Sequence, residues 1–479
     1  MTSNTSNLWV LTEERPKKKV LQMIFSHFAG KLGVGFFGND LRIIPILNSN
    51  KCFDFTYEVK GFDCTRVNHV YIKTISGNSS FTDFLIYYQD SVPDSTLDEP
   101  LYAIEETKTD DKESRNTGVY QRCSKFVYID NYYPRTKKVM LYALEVGQKE
   151  TPTDTYVFGT RLLLTLGVEI LGKELDPEIF KPFTSIDEVI KAKQNMRKAP
   201  TGNVPILINR FSNKITVSGR LFKDNGLSHD PNIGALSAIC AVLRKLGWNK
   251  PKPIEITQHG LLQEHVGQTN KFVQIANTLS ISLEGLSVPK STLPPLYWHY
   301  DETGEKLGTI FIHIVVENFT NGFSIFENHA GCEKSYFVTP DGEHIPLAKY
   351  ADRNAYKAGD KSQKIYIPDL VLIDVDERES ITIEGKKFCN KQQGIRELSN
   401  YDSFDELYLK KYYPSYKIVR TVVLYGSNND EVLEIQVGFL LNEKRQIDSW
   451  HKSSDTISSS HKQSFQLLEI KNLLFGGEK

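Results

Sequence analysis

Two stretches of the chain repeat one layout, and that repeat constrains the fold more than any other feature. In the first, Thr82-Asp83 opens the apolar run Phe84-Leu85-Ile86, and a loop rich in Pro and Asp leads to a return strand that ends Ile104-Glu105-Glu106-Thr107-Lys108. In the second, Pro368-Asp369 opens Leu370-Val371-Leu372-Ile373, and a charged turn leads back into Ile381-Thr382-Ile383-Glu384-Gly385-Lys386. Each copy continues with a Gly-aliphatic pair (Gly118-Val119, Gly394-Ile395), then Tyr-Tyr-Pro (132–134, 412–414), then an apolar strand. Counting Glu106 and Glu384 as the paired acids, the hairpins span 23 (106 − 83) and 15 (384 − 369) positions. The distances on to the repeated proline are 28 (134 − 106) and 30 (414 − 384). A hairpin followed by a helix and a further strand, met twice, predicts an α/β (α+β) chain with two cores. Each core is expected to be a central mixed sheet flanked by helices.

The length of 479 residues exceeds one ordinary core. The linker-like run Arg197-Lys198-Ala199-Pro200-Thr201-Gly202 divides the chain into expected domains 1–197 and 203–479. Residues of about 211–344 have no counterpart in the first half and are a candidate DNA-recognition insert. Helices are predicted over 17–28, 185–196, where Ser185 and Glu188 form a capping box, and 232–246. Aromatic and β-branched residues predict strands over 297–316. Six scattered cysteines without a Cys-x-x-Cys pair argue against a zinc cluster or a disulfide framework and fit a reducing cytoplasm. No apolar run reaches the ~20 residues of a membrane span, and the polar start lacks a secretory layout. A net charge of −1 requires any nucleic-acid surface to be a local concentration of basic groups.

Glu-x-Lys carries the chemistry. On a strand, residues i and i+2 point the same way, so a carboxylate and an ammonium share one face. A second acid from the neighbouring strand completes a pair of carboxylates able to hold Mg²⁺ against a phosphodiester, with the lysine beside the reacting phosphate. The tripeptide alone is common. Glu58-Val59-Lys60 and Glu469-Ile470-Lys471 lack a partner acid opening a hairpin strand and read as surface charge. Glu105 alternates to the opposite side from Glu106 and is expected to be structural. His259, His299, His313 and His329 show no ligand spacing and are given no chemistry.

The Pro-Asp…Glu-x-Lys hairpin resembles the PD-(D/E)XK nuclease superfamily. The second copy matches it literally at Pro368, Asp369, Glu384 and Lys386, and in the first Thr82 stands in place of the proline, before Asp83, Glu106 and Lys108. The resemblance implies two catalytic sites, with Asp83, Glu106, Asp369 and Glu384 as Mg²⁺ ligands and Lys108 and Lys386 as catalytic lysines. It implies a type II restriction endonuclease acting on double-stranded DNA, as a two-site monomer or a homodimer, alongside a cognate DNA methyltransferase. A repair or transposition nuclease of the same superfamily, or a DNA-binding module with relic sites, are the alternatives. Gln121 and Arg122, on a predicted helix behind the first site, are candidate DNA contacts.

Overall fold

The structure is a computed structural model that describes residues 6–13, 15–36, 41–46, 53–76, 82–107, 118–142, 152–196, 206–221, 230–268, 270–291, 298–299, 307–329, 336–425, 439–441 and 447–450. The fold is mixed α/β, as the sequence predicts, and rests on three principal sheets. The largest has nine strands. Its order runs Val168–Leu171, Lys137–Tyr142, Tyr102–Thr107, Phe84–Tyr88, Ser6–Thr12, Val67–Ser76, Thr56–Lys60 and Arg42–Pro45, and Trp298–His299 adds to Val67–Ser76.

Alternation along these strands gives the sheet two apolar faces. Val10, Ile72, Ile86 and Ile104 pack against Val20, Leu21, Ile24 and Phe28 of helix Lys18–Leu32. On the other face, Trp9, Leu11, Leu85 and Ala103 pack against Ile129 and Tyr133, at the end of helix Gly118–Tyr132.

A four-stranded sheet follows, ordered Leu207–Arg210, Ile215–Ser218, Ile254–Thr257, Ile281–Leu283. Its last three strands are parallel and are joined through helices Asp230–Lys245 and Lys271–Leu279. The expected domain division falls among residues outside those described, and the hydrophobic core runs across it. Tyr128, Leu162 and Val189 share one cluster with Val217, Leu236, Ile239 and Ile275. The third sheet orders Phe323–Glu327, Leu370–Asp374, Glu379–Lys387 and Lys417–Tyr425.

One expectation fails plainly. Among the described residues, the strands predicted over 297–316 are seen at Trp298–His299 alone, and the apolar run from 307 on is helix Leu307–Phe319. This helix lies between the nine-stranded sheet and the third sheet, with Ile310 and Ile314 in the core of the first. A helix wrapped by neighbours tolerates apolar residues all round, so tertiary burial overrides the β preference of Ile and Val. Among the described residues no helix is long and apolar enough to cross a membrane.

Candidate functional site: two carboxylate hairpins

Strand Leu370–Asp374 pairs antiparallel with Glu379–Lys387, Leu370 facing Ile383. That register sets Asp369 across from Glu384, both buried. The Gly385 amide donates to Asp369 Oδ2 at 2.9 Å, fixing the aspartate at the strand's mouth. Glu384 is gripped at both oxygens: Lys386 Nζ lies 2.7 Å from Oε1, and the Tyr401 hydroxyl donates to Oε2. Lys386 also lies 2.9 Å from Glu397 Oε2. Burial, and then repulsion from Asp369, push the Glu384 carboxyl up to about 7. Burial would lower Lys386, but its bonds to Glu384 and Glu397 outweigh this and hold it above the ordinary lysine range, so it stays an ammonium. The sequence places Asp369, Glu384 and Lys386 together, and the structure does too.

The first hairpin requires a correction. Phe84 faces Ile104, so the residue across from Asp83 is Glu105, and Glu106 alternates to the opposite face, where it is buried. The register is otherwise that of the second hairpin. The Glu106 amide donates to Asp83 Oδ2 at 2.8 Å, the same contact that Gly385 makes to Asp369. Glu105 therefore corresponds to Glu384, and Thr107 stands where the second copy has Lys386. Lys108 lies outside the described residues.

The cation of the first site comes from elsewhere. Lys125, on helix Gly118–Tyr132, brings Nζ to 2.7 Å from Glu105 Oε2 and 3.6 Å from Asp83 Oδ1. Seven positions separate Gly118 from Lys125 and also Gly394 from Tyr401, so Lys125 takes the place of Tyr401, on the same oxygen of the acid. Arg122 Nε lies 3.3 Å from Glu105 Oε1 and donates to the Glu106 carbonyl at 3.1 Å, so this candidate DNA contact is tied to the site itself. The side chain of Gln121 is not among those described. Burial, then Asp83, push Glu105 up to about 8 in spite of both cations.

Sequence reasoning chose Glu106 because Lys108 stands two residues beyond it. The signal for Glu105 was the repeat itself. Counted from Glu105, the distance to the repeated proline is 29 (134 − 105), nearer the 30 (414 − 384) of the second copy. Of the decoys, Glu58 forms ion pairs with Lys60 and His69 at 2.6 and 3.0 Å, both partners half exposed, and Glu469 and Lys471 lie outside the described residues.

A separate buried cluster was missed altogether. His313, Glu327 and His329 bring three donor atoms within 4.8 Å of one another, between the nine-stranded and third sheets. Of the other two histidines, His259 is bound to the chain around it, Nε2 facing the Glu284 carbonyl at 3.0 Å, and the backbone of His299 pairs with Ile75.

Comparison with known proteins finds no family model, no curated protein and no solved structure that matches this chain.

Proposed function

We propose that the protein is a Mg²⁺-dependent endonuclease of double-stranded DNA, with Asp369, Glu384 and Lys386 as its main chemical centre. The observation that carries this reading is the shared hairpin: twice, an aspartate opening one strand stands across from a glutamate on the next, with a cation on that glutamate. Two acids close enough for Asp369 to raise Glu384 form an all-oxygen donor set that a hard divalent cation suits. Asp369 and Glu384 would hold the Mg²⁺, which when bound polarises a phosphoryl oxygen and acidifies a water. Lys386 and Tyr401 fix the plane of the Glu384 carboxylate, and the Lys386 ammonium supplies positive charge where a phosphorane would build negative charge. Within this reading, a type II restriction endonuclease accounts best for one chain carrying two diverged sites, each able to serve one strand.

In the first site, Arg122 and Lys125 already engage Glu105, and no lysine stands among the described residues of its strand, which favours a weaker or relic centre there. Supercoiled plasmid incubated with Mg²⁺ separates the cases. Linear product expresses two working sites, within one chain or across a homodimer, nicked product one, and binding without cleavage across varied DNA would sink the nuclease reading.

Two further results are expected. Glu384 ordinarily ionises near 4.5 and here is raised to about 7, so the stability it lends is complete below the ordinary value and is lost as pH rises through about 7. Mg²⁺ requires the ionised form, so the gain in Tm on adding Mg²⁺ should grow between about pH 6 and pH 8. Scanning calorimetry should show that growth in wild type and none in Glu384→Gln.

Gly394 sits against the site: a Cβ there would meet Lys386 Cγ at 2.8 Å and Val422 Cγ1 at 3.0 Å. Gly394→Ala is expected to displace Lys386 and slow cleavage by up to about 100-fold. Its effect on stability should stay under about 2 kcal/mol, because helix propensity and overpacking oppose each other. Unchanged cleavage would show that Lys386 needs no fixed place.

A further inference from the structure

We propose that His313, Glu327 and His329 form a site for a divalent transition-metal ion of the zinc class, independent of both hairpins. His313 comes from helix Leu307–Phe319, Glu327 ends strand Phe323–Glu327, and His329 lies two residues on. His313 and His329 are buried, and Glu327 is half-buried with its side chain 8 % exposed. Their inward atoms form a near-regular triangle: His313 Nδ1 to His329 Nε2 is 3.0 Å, His313 Nδ1 to Glu327 Oε2 is 3.3 Å, and His329 Nε2 to Glu327 Oε2 is 3.4 Å. A tetrahedral ion with bonds of 2.0–2.1 Å has ligand–ligand edges of about 3.3 Å.

Protons alone serve this triangle poorly. If both imidazoles aim an N–H at Glu327, the two N–H groups confront each other across 3.0 Å. If only one does, that single N–H must serve the other imidazole and the carboxylate together, and the second nitrogen's lone pair still faces Glu327. A cation at the centre engages all three lone pairs at once.

The surroundings match those of a metal-bound histidine, whose second ring nitrogen turns to a carboxylate. His313 Nε2 faces Glu317 Oε1 at 3.6 Å, and that oxygen is held by the Ser324 amide at 2.9 Å and hydroxyl at 3.1 Å. Arg15 Nη1 holds the other oxygen of Glu327 at 3.1 Å, leaving Oε2 turned to the histidines. Two imidazoles and one carboxylate suit zinc and its neighbours better than Mg²⁺.

Glu327 and His329 also line a cavity of about 230 Å³ together with Arg15, Lys18 and His344. The fourth coordination position opens on that side, where the basic lining favours water, hydroxide or a small anion as the fourth ligand. The ion would join the N-terminal segment, through Arg15, to the sheet that carries Glu384.

Elemental analysis of the full chain, freed of any histidine tag and purified without chelator, tests the proposal. About one zinc per chain is expected, and Co²⁺ exchanged into the site should give the visible d–d absorption of a tetrahedral ion. His313→Ala and His329→Ala should lose the metal and the spectrum, and Glu317→Gln should weaken binding by roughly 10- to 100-fold. Glu384→Gln should keep both, which separates this site from the hairpin. Should the histidine variants fail to fold, Glu327→Gln removes the charge and keeps the shape, and its zinc content decides. Wild type that lacks zinc, and that takes up added Zn²⁺ no more tightly than His313→Ala or Glu327→Gln, overturns the proposal.

Discussion

Lys386→Ala is expected to lower Mg²⁺-dependent DNA cleavage by roughly 10²- to 10³-fold, the usual cost of losing one preorganised charge in an active site. Lys386 is mostly buried and lies between Glu384 and Glu397, at 2.7 and 2.9 Å. Its removal takes away the only cation that the structure shows within ion-pair distance of the Glu384 carboxylate among the described residues. The fold should survive, because Glu384 already binds a proton readily near neutral pH and the alanine leaves no unpaired cation. The check is a plasmid time course beside circular dichroism. A folded variant that cleaves both strands at the wild-type rate would remove the second hairpin from the chemistry.

The second large effect is expected at Lys125→Ala, and it is first an effect on stability. Lys125 is the cation shared by Asp83 and Glu105, and Glu105 is 2 % exposed. Breaking a fully buried pair from one side costs about 3–5 kcal/mol. Here Lys125 keeps 17 % exposure, Arg122 still reaches Glu105, and Glu105, raised to about 8, can take up a proton, so about 1–2 kcal/mol is expected near pH 7, read from urea denaturation. If the first site cuts its strand, the same variant should leave plasmid nicked where wild type linearises it. Glu106→Gln should leave the cleavage pattern unchanged, since Glu106 faces away from Asp83. A Lys125→Ala protein as stable as wild type that also linearises DNA would refute the assigned role of the helix lysine.

What the sequence made legible was local. The second hairpin could be read because Asp369, Glu384 and Lys386 all lie on two strands joined by a short turn, where alternation fixes which side chains share a face. The capping box at Ser185 and Glu188 likewise announced helix Ile186–Asn195, and the Ser185 hydroxyl accepts from the Glu188 amide at 3.2 Å. The first site escaped because two glutamates stand side by side, so a one-residue slip in register exchanges the faces of the strand. Its lysine also comes from a helix, at a distance that no strand period encodes. His313 and His329 were invisible for a third reason. Helix Leu307–Phe319 has the composition of a strand, and reading it as one turns His313 and Glu317, neighbours one helical turn apart, into unrelated positions.

That same helix sets the timing of assembly during synthesis. The nine-stranded sheet has nearly all its strands by Leu141, yet Ile310 and Ile314, which belong to its core beside Val10, Ile43 and Ile72, are translated about 170 residues later. At ~5–20 residues per second, the ribosome leaves that part of the apolar face bare for roughly 10–30 s. A nascent chain in that interval is a client for holding chaperones, and a fragment ended near residue 200 keeps the bare patch permanently and is prone to aggregate.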